Sequence, residues 1–195
     1  MASDKNSIPR SDEELQKSIV GELKPHNAPI TLVEYDPNWQ ELFEREAHRI
    51  RSILGSKALQ IEHVGSTSVP GLCAKPIIDI LLVVEDSADE SSYVPAMESA
   101  GYTLRVREPQ WFEHRMFKGP DTDINLHVFS KGTSEIKRML LFRDRLRNNE
   151  ADREKYAQVK RSLAKNRWRH IQHYADAKTS IIQEIMERAD AGNKL

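Results

Sequence analysis

The stretch Ile61-Glu62-His63-Val64-Gly65-Ser66-Thr67-Ser68-Val69-Pro70-Gly71-Leu72-Cys73-Ala74-Lys75-Pro76-Ile77-Ile78-Asp79-Ile80 leads from an apolar strand through a Gly-Ser turn and a Pro/Gly-punctuated segment into a second apolar strand. A Gly-Ser pair at a strand end lets backbone N–H groups converge on an anion. Ile77 to Val84 is a run of Ile, Leu and Val with Asp79 as its one charge, the pattern of a strand covered on both faces. Aspartate in such a strand is unusual unless it is paired or has chemistry to do. Gly65 and Ser66 therefore read as a phosphate-holding turn with Thr67 beside them, against the plainer reading of a tight turn capped by Ser66.

Outward from this segment, alternating apolar and 3.6-period patterns order the chain. Ile30 to Glu34 and Leu59 to Val64 read as strands, and Asp36-Pro37 opens a helix to about Leu54 whose apolar face is Trp39, Leu42, Phe43, Ala47, Ile50, Ile53 and Leu54. Ala88 to Ala100 reads as a helix stopped by Gly101. Tyr102 to Val106, Phe112 to Phe117 and Asp123 to Phe129 read as extended, the last two joined by a Lys118-Gly119-Pro120-Asp121-Thr122 loop. In Asp123 to Phe129, Ile124, Leu126 and Val128 share the core side, and Asn125, His127 and Phe129 lie on the other. Helices over 134–148, 152–166 and 170–189 complete an α+β domain, a mixed sheet covered by helices with a helical C-terminal third. Residues 1–28, polar and Pro-containing, read as a flexible N-terminal tail apart from a short helical run at Glu13 to Lys17, leaving 29–195 as a single domain.

The chain has 195 residues and a formal net charge of −1, which suits one buried core and argues against a partner as extended and acidic as nucleic acid. A single cysteine, Cys73, forms no internal disulfide and reads as a packing residue. No signal-like or membrane-spanning apolar run is present, so the expectation is a soluble cytoplasmic protein with no membrane partner.

Gly65, Ser66, twelve residues, then Asp79 resembles the nucleotidyltransferase pattern, in which a Gly-Ser turn holds a triphosphate and strand carboxylates bind a divalent cation. Leu81 stands where the second carboxylate of that pattern falls, and His127 stands where a third acidic residue would come from a neighbouring strand. Asp79, His127 and His63 are thus the candidate catalytic groups. Asp79, His127 and Glu62 are candidate ligands for Mg²⁺, Mn²⁺ or Zn²⁺, although alternation turns only one of Glu62 and His63 towards the pocket. Lys75, held extended before Pro76, and Arg115 are candidate phosphate contacts beside Gly65, Ser66 and Thr67. Arg143, Arg147 and Lys160 sit on helices that could close over the site. Tyr174 and Lys178 read as a packing pair.

The long segment is very similar to the signature of the GrpB family, whose members also occur fused behind dephospho-CoA kinase. The resemblance extends to Tyr35-Asp36-Pro37-Asn38-Trp39, Leu126-His127-Val128, Leu141-Phe142-Arg143-Asp144-Arg145-Leu146-Arg147, Tyr156-Ala157-Gln158-Val159-Lys160 and Tyr174-Ala175-Asp176-Ala177-Lys178, from about residue 30 to the C-terminus. It implies a nucleotidyltransferase-superfamily fold with no assigned activity, and a non-acidic residue at Leu81 is a trait of that family. The functional expectation is a domain that binds a nucleoside triphosphate or another phosphorylated small molecule, with a divalent metal. The alternative is a non-catalytic partner or folding-assistance module that keeps the fold without the chemistry and binds another protein.

Overall fold

The computed structural model describes residues 10–192, with side chains described to Ala189. Seven α-helices, α1 (Asp12–Ser18), α2 (Asn38–Leu54), α3 (Val94–Ser99), α4 (Ser134–Asn148), α5 (Glu150–Ala164), α6 (Ile171–Asp176) and α7 (Thr179–Gly192), surround five strands, β1 (Gln60–Val64), β2 (Ile78–Val84), β3 (Thr103–Glu108), β4 (His114–Lys118) and β5 (Ile124–Ser130). The strands form one mixed sheet in the order β1-β2-β5-β4-β3. Only β2 and β5 run parallel, which places Asp79 beside Asn125 and Leu81 beside His127. This is the α+β architecture the sequence predicts.

One sheet face lies under α2 and α3. Ile78, Ile80, Leu82, Ile124, Leu126 and Val128 meet Trp39, Ala47, Ile50, Leu54 and Met97 there, in the largest apolar cluster. On the other face α4 covers only part of the sheet, laying Ile136, Met139 and Leu140 on Val64, Leu81, Val83 and Phe129. The start of β2 and the middle of β5 stay uncovered, and α5, α6 and α7 wall the resulting cleft. The Pro/Gly segment after the turn seats Val69, Leu72 and Cys73 among α4, α5 and α7.

Several elements differ from the sequence expectation. Ile30 to Glu34 forms no strand: Val33 makes a single bridge to Ala74, while the Ile30 N–H donates to the Ala164 carbonyl at the end of α5. The helix expected from Ala88 is a three-residue 3₁₀ turn, Glu90–Ser92, followed by the short α3, because Pro95 can occupy only a first-turn position. The helix expected over 170–189 breaks at Ala177-Lys178.

Within the expected N-terminal tail, residues 1–9 lie outside the described residues, whereas 10–28 pack across the cleft. Ser11 and Glu14 close a capping box at the start of α1. Arg10 donates to Asp176 at 3.0 and 3.1 Å, and His170 meets Asp12 at 2.9 Å. Leu15 is buried, and Ile19 bridges to Val106 on the sheet edge. These partners lie far away in sequence, which is why local composition reads the segment as a tail.

Candidate functional site

The turn between β1 and β2 owes its shape to Gly65. Its φ of +68° with ψ of −173° belongs to a region essentially restricted to glycine. A Cβ added there would come within 2.9 Å of Asp79 Cβ and Cγ, so glycine also allows the aspartate to lie against the turn. Ser66–Ser68 follows as a 3₁₀ turn, tied by the Ser68 hydroxyl donating to the Gly65 carbonyl at 2.6 Å and braced from α4 by Arg147 Nε donating to the Ser68 carbonyl at 2.9 Å. Asp79 Oδ1 accepts from Asn125 Nδ2 at 2.8 Å and lies 3.5 Å from His127 Nε2. Burial pushes the Asp79 carboxyl up, but the His127 and Asn125 hydrogen bonds and the Lys75 charge outweigh it, so the group titrates below the usual range.

From His127 the polar line continues along the sheet. His127 Nδ1 lies 3.1 Å from His114 Nε2, and His114 Nδ1 lies 2.7 Å from Glu108 Oε2, so the imidazoles are held in fixed orientation between two carboxylates.

Three lysines join these groups in the cleft. Lys75, Lys160 and Lys178 all line it together with Gly65, Ser66, Thr67, Asp79 and His127. Lys178 Nζ sits over the Tyr174 ring at 4.5 Å and Lys75 Nζ over the same ring at 5.9 Å. Lys160 is 2% exposed, and its ammonium donates to the Cys73 carbonyl. None of the three forms an ion pair among the described residues. Burial pushes Lys160 down to about 7 and Lys178 to about 8, and it lowers Lys75 as well. Tyr174 is 1% exposed, yet its hydroxyl has no hydrogen-bond partner among the described residues. The cleft measures about 1310 Å³.

Of the residues expected from sequence, Gly65, Ser66, Thr67, Lys75, Asp79 and His127 therefore converge, whereas His63, Glu62 and Arg115 do not join them. His63 points to the opposite sheet face, stacked on Phe43 at 4.8 Å and 3.0 Å from Thr67 Oγ1, so it supports the turn from behind. Glu62 shares the Asp79 side of the sheet but pairs with Arg143 at 2.8 Å. Arg115 alternates to the core side, 4% exposed, where it binds Glu90 and the Glu113 carbonyl. Among the described residues no group of three His, Cys, Asp or Glu side chains is placed to hold a metal ion. Leu81 explains part of this: it is fully buried under α4, so apolar packing fills the place of a second carboxylate.

Sequence reading assigned no role to His114, Glu108 and Asn125, and it undervalued Lys160 and Lys178. The signal for Lys160 was present: Tyr156, Ala157, Lys160 and Ala164 form one buried stripe of α5, with a charge inside it.

A family model described as GrpB protein matches residues 29–188. The chain belongs to the GrpB family. A UPF0157 protein of Halalkalibacterium halodurans is 75% identical, over 98% of this chain and 98% of its own length. The crystal structure of the conserved protein GrpB from Enterococcus faecalis matches at TM-score 0.72 and 33% identity, covering 85% of this chain and 100% of that one. A dephospho-CoA kinase of Mycolicibacterium paratuberculosis is 29% identical over 83% of this chain, which spans 46% of that kinase. The segment over 10–28 precedes the part that the GrpB model matches. No helix among the described residues of this GrpB chain is long and apolar enough to cross a membrane.

The position of His63 sets an acid response. Burial, with the Arg147 charge second, pushes it down to about 4 from an ordinary 6.5. Between those values the unfolded chain binds a proton that the folded protein does not, so stability falls as pH drops from 6.5 towards 4. The full loss amounts to about 3 kcal/mol, and His114, also lowered by burial, adds in the same direction. Urea unfolding across this range should show the decline, and His63→Gln should flatten most of it.

Proposed function

We propose that the cleft binds a nucleotide or another phosphorylated small molecule by its phosphates, set against the Gly65-Ser66-Thr67 turn and clasped by Lys75, Lys160 and Lys178. The observation that carries this reading is the gathering, in one cleft with a glycine turn, of three lysines that have no ion-pair partner and a Tyr174 hydroxyl that has no hydrogen-bond partner among the described residues. Cations held this way are destabilising on their own. A polyphosphate would supply the missing acceptors to the ammonium groups, to Tyr174 and to the turn.

Beside the phosphates, Asp79 and His127 are placed to accept a proton from an attacking hydroxyl, the task of a general base in nucleotidyl or phosphoryl transfer. His114 and Glu108 keep the His127 ring in place for it. A divalent Mg²⁺, Mn²⁺ or Zn²⁺ ion would find two protein donors here, Asp79 and His127, and would have to draw its remaining ligands from phosphate oxygens and water. Such an ion would arrive with the ligand, since Glu62 is committed to Arg143 and Leu81 offers no oxygen. A cytoplasmic location suits both a phosphorylated metabolite and the buried free thiol of Cys73.

Calorimetric titration with tripolyphosphate and with ATP tests the reading. Asp79→Asn should tighten tripolyphosphate binding without added cation, because a nearby negative charge is removed, and should abolish any increment that Mg²⁺, Mn²⁺ or Zn²⁺ adds to native protein. Neither ligand binding to the native protein would sink the proposal. The partial match to dephospho-CoA kinase favours a second reading, a module docked on another protein that keeps the fold without the chemistry; turnover of a nucleotide by the protein on its own would rule that reading out.

A further inference from the structure

We infer that the end of the cleft away from the lysines, at Trp111, seats a planar heteroaromatic ring of the nucleobase kind. The inference rests on the phosphate reading for its choice of ligand, but it stands on different residues. Trp111 lines the same cleft and is 42% exposed. Its neighbours His114, Phe129 and Phe112 meet it edge to face, at 5.1, 5.7 and 5.7 Å with interplanar angles of 83°, 73° and 62°. The indole's aromatic contacts are thus T-shaped, and among the described residues no aromatic ring is stacked parallel on it. Stacking on an exposed aromatic face is open to any base, because every base has a π face.

The turn that presents Trp111 is held firmly. Phe112 and Glu113, two consecutive non-glycine residues, adopt left-handed φ values of 55° and 50°. Such a turn persists only where its surroundings fix it. Here the Glu113 carbonyl accepts from Ser87 Oγ at 2.8 Å and from Arg115 Nη1 at 2.9 Å. Arg115, expected from sequence to touch phosphate, instead clamps this turn from the core side of the sheet. The placement also suits a ligand with two ends. From His127, which touches Asp79, one ring-to-ring step of 5.3 Å leads to His114 and a second of 5.1 Å leads to Trp111. A molecule with its phosphates at the glycine turn can thus reach the indole with its base, and so can a separate acceptor nucleoside approaching His127.

Calorimetry with tripolyphosphate, ATP and adenosine on native, Trp111→Ala and Trp111→Phe proteins distinguishes these cases. If the ring belongs to the phosphorylated ligand, native protein binds ATP about tenfold or more tighter than tripolyphosphate. Trp111→Ala then loses that advantage, Trp111→Phe keeps most of it, and tripolyphosphate affinity is the same in all three. If the ring belongs to an acceptor, adenosine binds the tripolyphosphate-loaded native protein and fails to bind loaded Trp111→Ala. ATP and adenosine affinities unchanged by Trp111→Ala would overturn the inference. Failure of tripolyphosphate to bind native protein would instead sink the phosphate reading, and adenosine alone would still test the stacking site.

Discussion

Lys160→Met should make the protein more stable at pH 7 and at the same time weaken its hold on phosphate. Lys160 is 2% exposed, and burial has brought its titration down to about 7 from an ordinary 10.5. Replacing a poorly compensated buried cation by an apolar side chain of similar length stabilises by about 1–4 kcal/mol, and losing the hydrogen bond to the Cys73 carbonyl takes back about 1 kcal/mol. The pH dependence carries the same signature. Between about 7 and 10.5 the unfolded chain holds a proton on Lys160 that the folded chain has released, so native stability rises with pH across that window. Lys178, lowered to about 8, adds to the rise, and Lys160→Met should remove the larger share of it. Urea unfolding at pH 7 and pH 10 reads both effects. Calorimetry should give about a 10- to 100-fold loss in tripolyphosphate affinity, the worth of one charge-assisted contact. A variant that is less stable and binds tripolyphosphate as well as native protein would show that Lys160 is only structural.

Gly65→Ala should be the most damaging single methyl group in the chain. At φ +68° and ψ −173° the backbone conformation alone costs an alanine about 1–3 kcal/mol. The new Cβ would press on Asp79 Cβ and Cγ at 2.9 Å, and such overpacking typically adds about 1–3 kcal/mol. Relief is available only by moving the aspartate, which is tied to Asn125 and His127, or by moving the turn, which Arg147 braces. Loss of fold stability and loss of the site should therefore arrive together. Gly55→Ala is the matched control: its backbone is also in a glycine region, at φ +55° and ψ −128°, but an added Cβ meets nothing within 4 Å, so only a backbone cost of about 1–3 kcal/mol remains. Denaturation midpoints of the two variants separate the clash from the backbone effect, and equal midpoints would contradict the role given to the Gly65–Asp79 contact.

The sheet and most helices were legible because their signals are local. Alternation placed Ile124, Leu126 and Val128 on the core side and Asn125, His127 and Phe129 on the other, as found. The Gly65, Ser66 and Asp79 frame was legible for the same reason. What escaped depends on distant partners. The segment around α1 is anchored by Asp176, Arg169 and His170, about 160 residues further along, and Leu15 is its one buried side chain among the helical residues. Arg115 and His63 were misplaced because charge and proximity in sequence suggested the pocket, whereas strand alternation turns both to the other face. Lys160 was legible only as one of several helix charges that could close over the site, and Lys178 as the packing partner of Tyr174, a contact the structure shows at 4.5 Å; only the fold reveals that α5 and the α6–α7 break bring both to the same cleft. Leu81 was noticed as an absence, and the structure gives it a positive role as part of the floor beneath α4.

The claim at the centre of this account is that three lysines with no ion-pair partner among the described residues, Lys160 buried and Lys75 and Lys178 half-buried, share a cleft with a glycine turn in order to hold phosphate. Calorimetric titration of tripolyphosphate into the native protein and into the Lys75→Met, Lys160→Met, Lys178→Met triple variant, at low and high salt, tests it most directly. The account predicts saturable, salt-sensitive binding to the native protein and none to the triple variant, with the variant folded and at least as resistant to urea. Tripolyphosphate binding of equal strength to both proteins, or to neither, would contradict it.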